Sequence, residues 1–232
     1  MQIASLQKLT LLDFPGRTAC IVFTPGCKFR CPFCHNPELV LPELTRELPL
    51  ISPQSFLRFL GQRKNLLDGV CLTGGEPTLQ TGLADFLAEI RRQGFQTKLD
   101  TNGANPAVLA ELLKKGLLDY VAFDVKFAPE NYAKFTSWTD FGAIQRTRDL
   151  LLKSQLDYEF RTTLVRELHT PTELTKIWQF IQGAKRYFLQ NFEAREKLLD
   201  PAFSKMHGFQ DCELQALREQ AQKFVQECAI RS

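Results

Sequence analysis

The chain has 232 residues, of which 44% are hydrophobic and 24% charged, and its formal net charge is +3. This usage is typical of a globular protein and excludes a disordered or fibrous chain, while the near balance of charge argues against a protein that coats nucleic acid or anionic lipid. The sequence contains no apolar run of the ~18 residues that a membrane span needs, and its first residues lack the features of a signal peptide. We therefore expect no nucleic-acid or membrane association.

The number of cysteines limits how they can pair in disulfides. There are seven, so they cannot all pair, and the chain is longer than the small secreted domains that depend on disulfides. A disulfide framework is therefore disfavoured. We expect a reducing, cytoplasmic location.

Apolar, β-rich runs alternate along the chain with segments of helical period. Strands are predicted at residues 18–24, 69–73, 95–100, 118–125, 157–164 and 185–190. Helices are predicted at residues 53–66, 83–93, 106–115, 141–153, 171–182 and 211–228. This alternation predicts a mainly parallel sheet with right-handed crossovers. Six such units are too few for a closed eight-fold barrel, which leaves an open partial barrel or a doubly wound sheet.

Local signals support several helix ends. A capping side chain precedes a proline at three of the predicted helix starts, Ser52-Pro53, Asn105-Pro106 and Thr170-Pro171. Glu173 stands three residues after Thr170, as in a capping box. Gly94 and Gly116 follow helices where a left-handed terminating residue is expected.

Three cysteines lie in one loop directly after the first predicted strand, Cys27-Lys-Phe-Arg-Cys31-Pro-Phe-Cys34. A structural zinc site would need a fourth ligand, usually from a second cysteine pair, and the other cysteines form no such pair. His35 is the alternative fourth ligand, although it directly follows Cys34. Three thiolates without a fourth ligand favour a four-iron cluster with one iron open to a small molecule.

This loop resembles the CxxxCxxC hallmark of the radical S-adenosylmethionine superfamily. The resemblance covers most of the chain and implies an α/β fold, a partial (β/α)6 TIM-like barrel. It implies a single domain over residues 1–232, with the barrel at about 18–190, an N-terminal lead-in at 1–17 and a C-terminal helical extension at 191–232. It also implies that Cys27, Cys31 and Cys34 bind a [4Fe–4S] cluster. The open iron of that cluster chelates S-adenosylmethionine, which is then cleaved reductively, so no side chain beyond the cluster and cofactor is expected to be catalytic.

Further motifs lie at the ends of predicted strands, where the active sites of barrels assemble. Gly74-Gly75-Glu76 resembles the superfamily's GGE motif, which binds the methionine amino group. The resemblance further assigns Asp100 and Asp124 to the amino group or to a monovalent cation, and Lys126 to the carboxylate of the cofactor. Arg161 and Thr163 match a position that contacts the cofactor. Gln190 or Asn191 stands where a relative has a histidine for the ribose.

Two short sequence segments resemble segments of the activating enzymes of glycyl radical enzymes. Asp13-Phe14-Pro15-Gly16-Arg17 is similar to their lead-in, and Cys34-His35-Asn36-Pro37 to the exit from their cluster loop. The overall similarity is to the type that activates anaerobic ribonucleoside-triphosphate reductase. This implies abstraction of a hydrogen atom from a glycine of that partner, with flavodoxin or ferredoxin as electron donor.

Two other functions stay open. The first is a radical S-adenosylmethionine enzyme that acts on a small molecule or on another peptide. The second, more remote, is a non-catalytic zinc or redox-sensing module that uses the three cysteines with His35, and it leaves the glycine turn and the carboxylates without a function.

Overall fold

The computed structural model describes residues 1–231. Within them the strands are β1 (Ser5–Thr10), β2 (Ala19–Thr24), β3 (Gly69–Gly74), β4 (Gln96–Thr101), β5 (Tyr120–Asp124), β6 (Asp157–Leu164), β7 (Arg186–Asn191) and β8 (Glu227–Arg231). The helices are α1 (Pro42–Thr45), α2 (Pro53–Gly61), α3 (Leu83–Arg92), α4 (Pro106–Lys114), α5 (Pro129–Thr136), α6 (Phe141–Leu152), α7 (Pro171–Phe180) and α8 (Asp211–Ala221). The strands form one sheet in the order of the chain. None of the helices among these residues has the length and apolar character of a membrane span.

The described residues form two compact units. The first comprises residues 1–28, 38–101 and 105–121, and the second residues 29–37, 102–104 and 122–231. In the first, β1 is antiparallel to β2, and β2, β3 and β4 are parallel neighbours. In the second, β6, β7 and β8 are parallel neighbours. The predicted parallel sheet is confirmed, with the antiparallel strand β1 added to it.

In the first unit, strands β2, β3 and β4 are buried on both faces, whereas β1 is largely exposed. Cys20, Cys71, Leu72 and Leu99 have no exposed surface. Long apolar runs are expected where helices cover both faces of a parallel sheet. The predicted left-handed glycines after α3 and α4 are also confirmed, because Gly94 and Gly116 have φ values of 95° and 62°.

The caps of the helices agree with the prediction in part. The side chains of Ser52 and Thr170 accept backbone N–H groups at the starts of α2 and α7. Asn105 does not cap α4, and instead its side-chain amide donates to Thr78 Oγ1 at 2.8 Å. The fold brings Thr78 close to Asn105, and this hydrogen bond takes the place of the predicted cap. Sequence spacing does not reveal such a tertiary partner.

Glu173 also has a tertiary partner in place of the predicted local one. Its two carboxylate oxygens accept from Ala128 N at 2.6 Å and from Asn131 Nδ2 at 2.5 Å, at the start of α5. A carboxylate at a helix start satisfies N–H groups that have no partner within the helix. Glu173 therefore joins α7 to α5, a helix that the periodicity does not predict.

The prediction of one helix over residues 211–228 is wrong beyond Ala221. Leu214, Leu217 and Ala221 form the buried face of α8, but Cys228 lies in β8 opposite Tyr187 of β7. The Gln222 side chain contacts backbone groups of Val225, Gln226 and Cys228 and so supports the turn between them. Strand pairing with β7 outweighs the helical period here. The proposed division into lead-in, barrel and extension stays a prediction.

Candidate active site

The cysteine loop follows β2. Within the second unit, Phe29 is buried with its ring centroid 6.1 Å from Tyr132 and 5.5 Å from Trp138. The backbone N–H of Arg30 donates to Thr136 O at 2.8 Å, at the end of α5. Phe29 and Arg30, between the first two cysteines, therefore anchor the loop to α5 and to Trp138 just after it.

The end of the loop is held by a later part of the chain. Cys34 O accepts from Leu199 N, and Pro32 O accepts from Asp200 N, both at 3.0 Å. The His35 ring stacks on Phe192 with a centroid distance of 5.8 Å, and its Nε2 donates to Glu193 O at 2.9 Å. Burial is the main cause that lowers the pKa of His35. His35 therefore supports the loop, and its contacts with Phe192 and Glu193 do not favour a role as zinc ligand.

The donors of the loop fit an iron–sulfur cluster. Cys31 is buried, and Cys27 and Cys34 are half-buried. In residues 1–231 no three His, Cys, Asp or Glu side chains lie close enough together to hold a single metal ion. Thiolates of a four-iron cluster bind different irons and need not converge on one ion, whereas a zinc site needs that convergence. The soft donor set thus fits an iron–sulfur cluster.

The glycines after β3 allow two chain segments to approach closely. Gly74 has φ 112°, and a Cβ atom there would lie 2.5 Å from Thr24 N. A Cβ atom on Gly75 would lie 2.2 Å from Gly26 O, and Gly26 O already accepts from Glu76 N at 2.7 Å. The glycines therefore place the end of β3 against the end of β2.

Gly75→Ala is expected to lower the free energy of unfolding by about 1–3 kcal/mol, because the added methyl group collides with backbone. Urea unfolding of the two proteins measures the difference. Gly61→Ala is the matched control, since a Cβ atom there would meet only Gln93 Oε1 at an ordinary 3.6 Å. An equal loss of stability in both variants would contradict the close approach at Gly75.

Glu76 is buried and has structural partners. Its Oε1 accepts from Thr78 N at 3.1 Å and from Thr101 Oγ1 at 2.8 Å. The carboxylate thus caps the Pro77–Leu79 turn and connects it to the end of β4. Binding of the methionine amino group by the Gly74-Gly75-Glu76 segment stays a prediction.

The end of β4 combines a turn and an ion pair. Asn102 Oδ1 accepts from Ala104 N at 3.0 Å, and Gly103 has φ 80° with no room for a Cβ atom against Phe123. The need to form this turn explains in part why Asn102 is followed by Gly103. Asp100 is ion-paired with Lys98, a fully buried residue that the motifs do not include. The sequence could have indicated Lys98 by its position two residues before Asp100, because residues two apart on a strand share a face.

Asp124, Lys126 and Arg161 come together in the second unit. Asp124 Oδ2 lies 3.1 Å from Lys126 Nζ, and Asp124 Oδ1 accepts from Arg161 Nε at 2.8 Å. Burial opposes ionisation of Asp124, but the two cations outweigh it and hold the pKa of Asp124 well below that of an ordinary carboxyl. Burial likewise opposes the charge of Lys126, whose pKa is nevertheless raised by Asp124 and, to a smaller extent, by Cys31. The group keeps both signs of charge at neutral pH.

The ion-pair network extends to the last strand. Glu159 on β6 has no exposed surface and lies 3.8 Å from Arg161 Nη1 and 2.8 Å from Arg231 Nη1. Arg231 also covers the Phe188 ring at 4.2 Å from its centroid. Strand β8 therefore contributes to the position of Arg161. The sequence does not reveal this contact, because it predicts a helix up to residue 228 and no strand after it.

A further residue, His169, holds the backbone of Lys126. His169 Nε2 donates to Lys126 O at 3.1 Å, while its Nδ1 accepts from Val165 N at 3.0 Å. Burial lowers the pKa of His169, in accord with the neutral ring that this pair of contacts requires. His169 is thus a buried residue that packs against the segment of Lys126.

The two candidates for the ribose differ in their contacts. Asn191 Nδ2 donates to Phe209 O at 2.9 Å, and Asn191 Oδ1 accepts from Phe209 N at 2.8 Å. Its amide therefore ties the end of β7 to the chain before α8. Gln190 is half-buried on β7 opposite Thr163 of β6. Of the two, Gln190 is the better candidate, and its contact with the ribose stays a prediction.

Comparisons with known proteins decide the family. Residues 21–168 match the radical SAM superfamily. The chain belongs to this superfamily. It is 31% identical, over 99% of its length and 95% of the relative's, to a Methanocaldococcus jannaschii protein named as a glycyl-radical enzyme activating enzyme. This radical SAM chain is therefore an oxidoreductase related to the activating enzymes, and the family implies a [4Fe–4S] cluster and S-adenosylmethionine as its cofactors.

Solved structures share the fold of this radical SAM chain. A domain of pyruvate-formate lyase-activating enzyme from Bacteroides vulgatus is similar with a TM-score of 0.57 and 16% identity, over 71% of this chain and 99% of that domain. Streptococcus suis SuiB bound to S-adenosylmethionine is similar with a TM-score of 0.63 and 15% identity, over 91% of this chain and 52% of SuiB. The predicted α/β fold of the radical SAM type is confirmed.

Proposed function

We propose that the protein activates a glycyl radical enzyme, an anaerobic ribonucleoside-triphosphate reductase, by removing a hydrogen atom from one of its backbone glycines. The observation that carries the proposal is a set of four strand-end motifs in a chain that matches a named activating enzyme over 99% of its length. The motifs are the cysteine loop at 27–34, Gly74-Gly75-Glu76, Asp100-Thr101-Asn102-Gly103 and Asp124-Val125-Lys126. Flavodoxin or ferredoxin is the proposed electron donor.

The side chains have distinct roles in this proposal. Cys27, Cys31 and Cys34 would hold the cluster, and the cluster with S-adenosylmethionine would supply the reductive cleavage and the hydrogen-atom abstraction. The turn at Gly74 and Gly75 brings backbone groups within reach of the methionine amino group.

Charge complementarity supports the position of the methionine moiety. Lys126 binds its carboxylate as a charged ammonium, since Asp124 keeps the pKa of Lys126 raised in spite of burial. Asp124, held ionised by Arg161, attracts its amino group. A zwitterion needs both signs of charge nearby, and these three side chains provide them.

The experiment combines the anaerobically reconstituted protein, S-adenosylmethionine, a reductant and an anaerobic ribonucleoside-triphosphate reductase. A glycyl radical doublet in the electron paramagnetic resonance spectrum is expected, together with 5′-deoxyadenosine. The matched control is the same reductase with the radical-bearing glycine changed to alanine, which should give no doublet.

The other outcomes separate the alternatives. A doublet on pyruvate formate-lyase in place of the reductase would contradict the proposed partner and keep the activase. Production of 5′-deoxyadenosine without a doublet on either partner would favour a small molecule or another peptide as substrate. Absence of both products would contradict the enzyme activity itself.

A further inference from the structure

A buried ammonium lies beside one of the carboxylates of the predicted cofactor site. Lys98 has no exposed surface, and its Nζ is ion-paired with Asp100 Oδ1. Its Nζ also lies 5.8 Å from the centroid of the Tyr120 ring. The negative charge of Asp100 is thus compensated from within the first unit.

Strand register brings a third group to this pair. Cys71 of β3 stands opposite Lys98 of β4, and its Sγ lies 3.7 Å from both Lys98 Nζ and Asp100 Oδ1. Removing an ammonium from water is costly. An apolar side chain of similar volume in the same space would stabilise the fold at least as well. The retained charge at Lys98 therefore points to a use other than packing.

The carboxylates assigned to a monovalent cation do not need one for charge balance. Asp100 has the Lys98 ammonium, and Asp124 has Arg161 at 2.8 Å and Lys126 at 3.1 Å. A soluble cation at either carboxylate would add positive charge where the chain already supplies it. The donor groups therefore do not fit the expected cation.

We propose that Lys98 is a positioning residue that supplies, as a fixed ammonium, the positive charge otherwise taken from a soluble monovalent cation at Asp100. The ammonium keeps Asp100 ionised and fixes the orientation of its carboxylate toward the amino group of S-adenosylmethionine. This assignment rests on the proposed function, because that function places Asp100 at the cofactor.

The first test uses the wild-type holoenzyme and measures its dissociation constant for S-adenosylmethionine by equilibrium dialysis. At equal ionic strength, the affinity in potassium, sodium and tetramethylammonium chloride should agree within about twofold, because screening is then the same in each salt. A tenfold requirement for potassium or sodium would overturn the proposal.

The second test compares two substitutions that both remove the charge. Lys98→Met fills the space of the stem, whereas Lys98→Ala leaves room for a small cation. Both should weaken cofactor binding by about 10–100-fold, the usual effect of losing an outer partner of a ligand site. Ammonium or potassium chloride should restore binding to Lys98→Ala and leave Lys98→Met unchanged. Unweakened binding, or equal rescue of both variants, would overturn the proposal.

A third measurement needs neither cluster nor cofactor. The thermal midpoint of apo Lys98→Ala should be higher in ammonium chloride than in tetramethylammonium chloride, while that of apo Lys98→Met should be the same in both. If neither variant folds, the wild-type salt comparison decides. If the wild type neither binds nor cleaves S-adenosylmethionine, the proposed function fails, and the apo measurement still decides whether a small cation replaces Lys98.

Discussion

Cys31→Ser is expected to abolish the cluster and, with it, formation of 5′-deoxyadenosine. Cys31 is the buried cysteine of the loop, and the backbone on either side of it is held by hydrogen bonds from Arg30 to α5 and from Asp200 to Pro32. A serine oxygen is a hard donor and binds iron of a sulfide cluster poorly. Iron and sulfide content, the visible absorption spectrum and the cleavage assay measure the loss.

The control for this substitution is Cys212→Ser. Cys212 is an exposed residue of α8, so the same chemical change should leave four irons bound and the cleavage rate unaltered. If Cys31→Ser kept a full cluster and cleaved the cofactor, the assignment of the three ligands would be wrong.

Asp124→Asn is expected to destabilise the second unit and to weaken the binding of S-adenosylmethionine. The substitution leaves Arg161 and Lys126 side by side without their carboxylate. Breaking such a largely buried group should lower the free energy of unfolding by about 2–4 kcal/mol at neutral pH. Glu111→Gln, which removes the exposed ion pair with Lys115, should leave stability unchanged and serves as control.

The pH dependence of this effect follows from the depressed pKa of Asp124. A carboxyl with a lowered folded-state pKa stabilises the protein above its unfolded pKa, and this contribution is lost as the pH falls through the folded value. The difference in thermal midpoint between wild type and Asp124→Asn should therefore hold from neutral pH to about pH 4 and shrink only below it. A difference that already disappears between pH 7 and 5 would contradict the strong pairing.

Elements set by local pattern were predicted well. Strands β2, β3 and β6 and helices α3, α6 and α7 lie close to their predicted positions, because apolar periodicity and capping residues are properties of short segments. Helix α2 begins as predicted but ends at Gly61 and not at residue 66. The helix predicted through Cys228 failed for the opposite reason. Residues 227–231 become a strand only because β7 provides a neighbour, and no local pattern encodes that pairing.

The sequence by itself determined the chemistry of the protein. The spacing of Cys27, Cys31 and Cys34, together with the glycine and carboxylate motifs after later strands, was enough to predict the family that the comparisons confirm. These signals are readable because iron–sulfur ligation and close backbone approach demand particular residue types at short spacing.

Only the tertiary structure decided the partners of those motif residues. Lys98 beside Asp100, Glu159 between Arg161 and Arg231, and Phe29 against Trp138 are contacts between segments or side chains that no motif relates. Burial gives them their importance, because a charge removed from water needs a partner and the fold decides which one is near. The motifs thus specify what the site is made of, while strand register and packing specify how its charges are balanced.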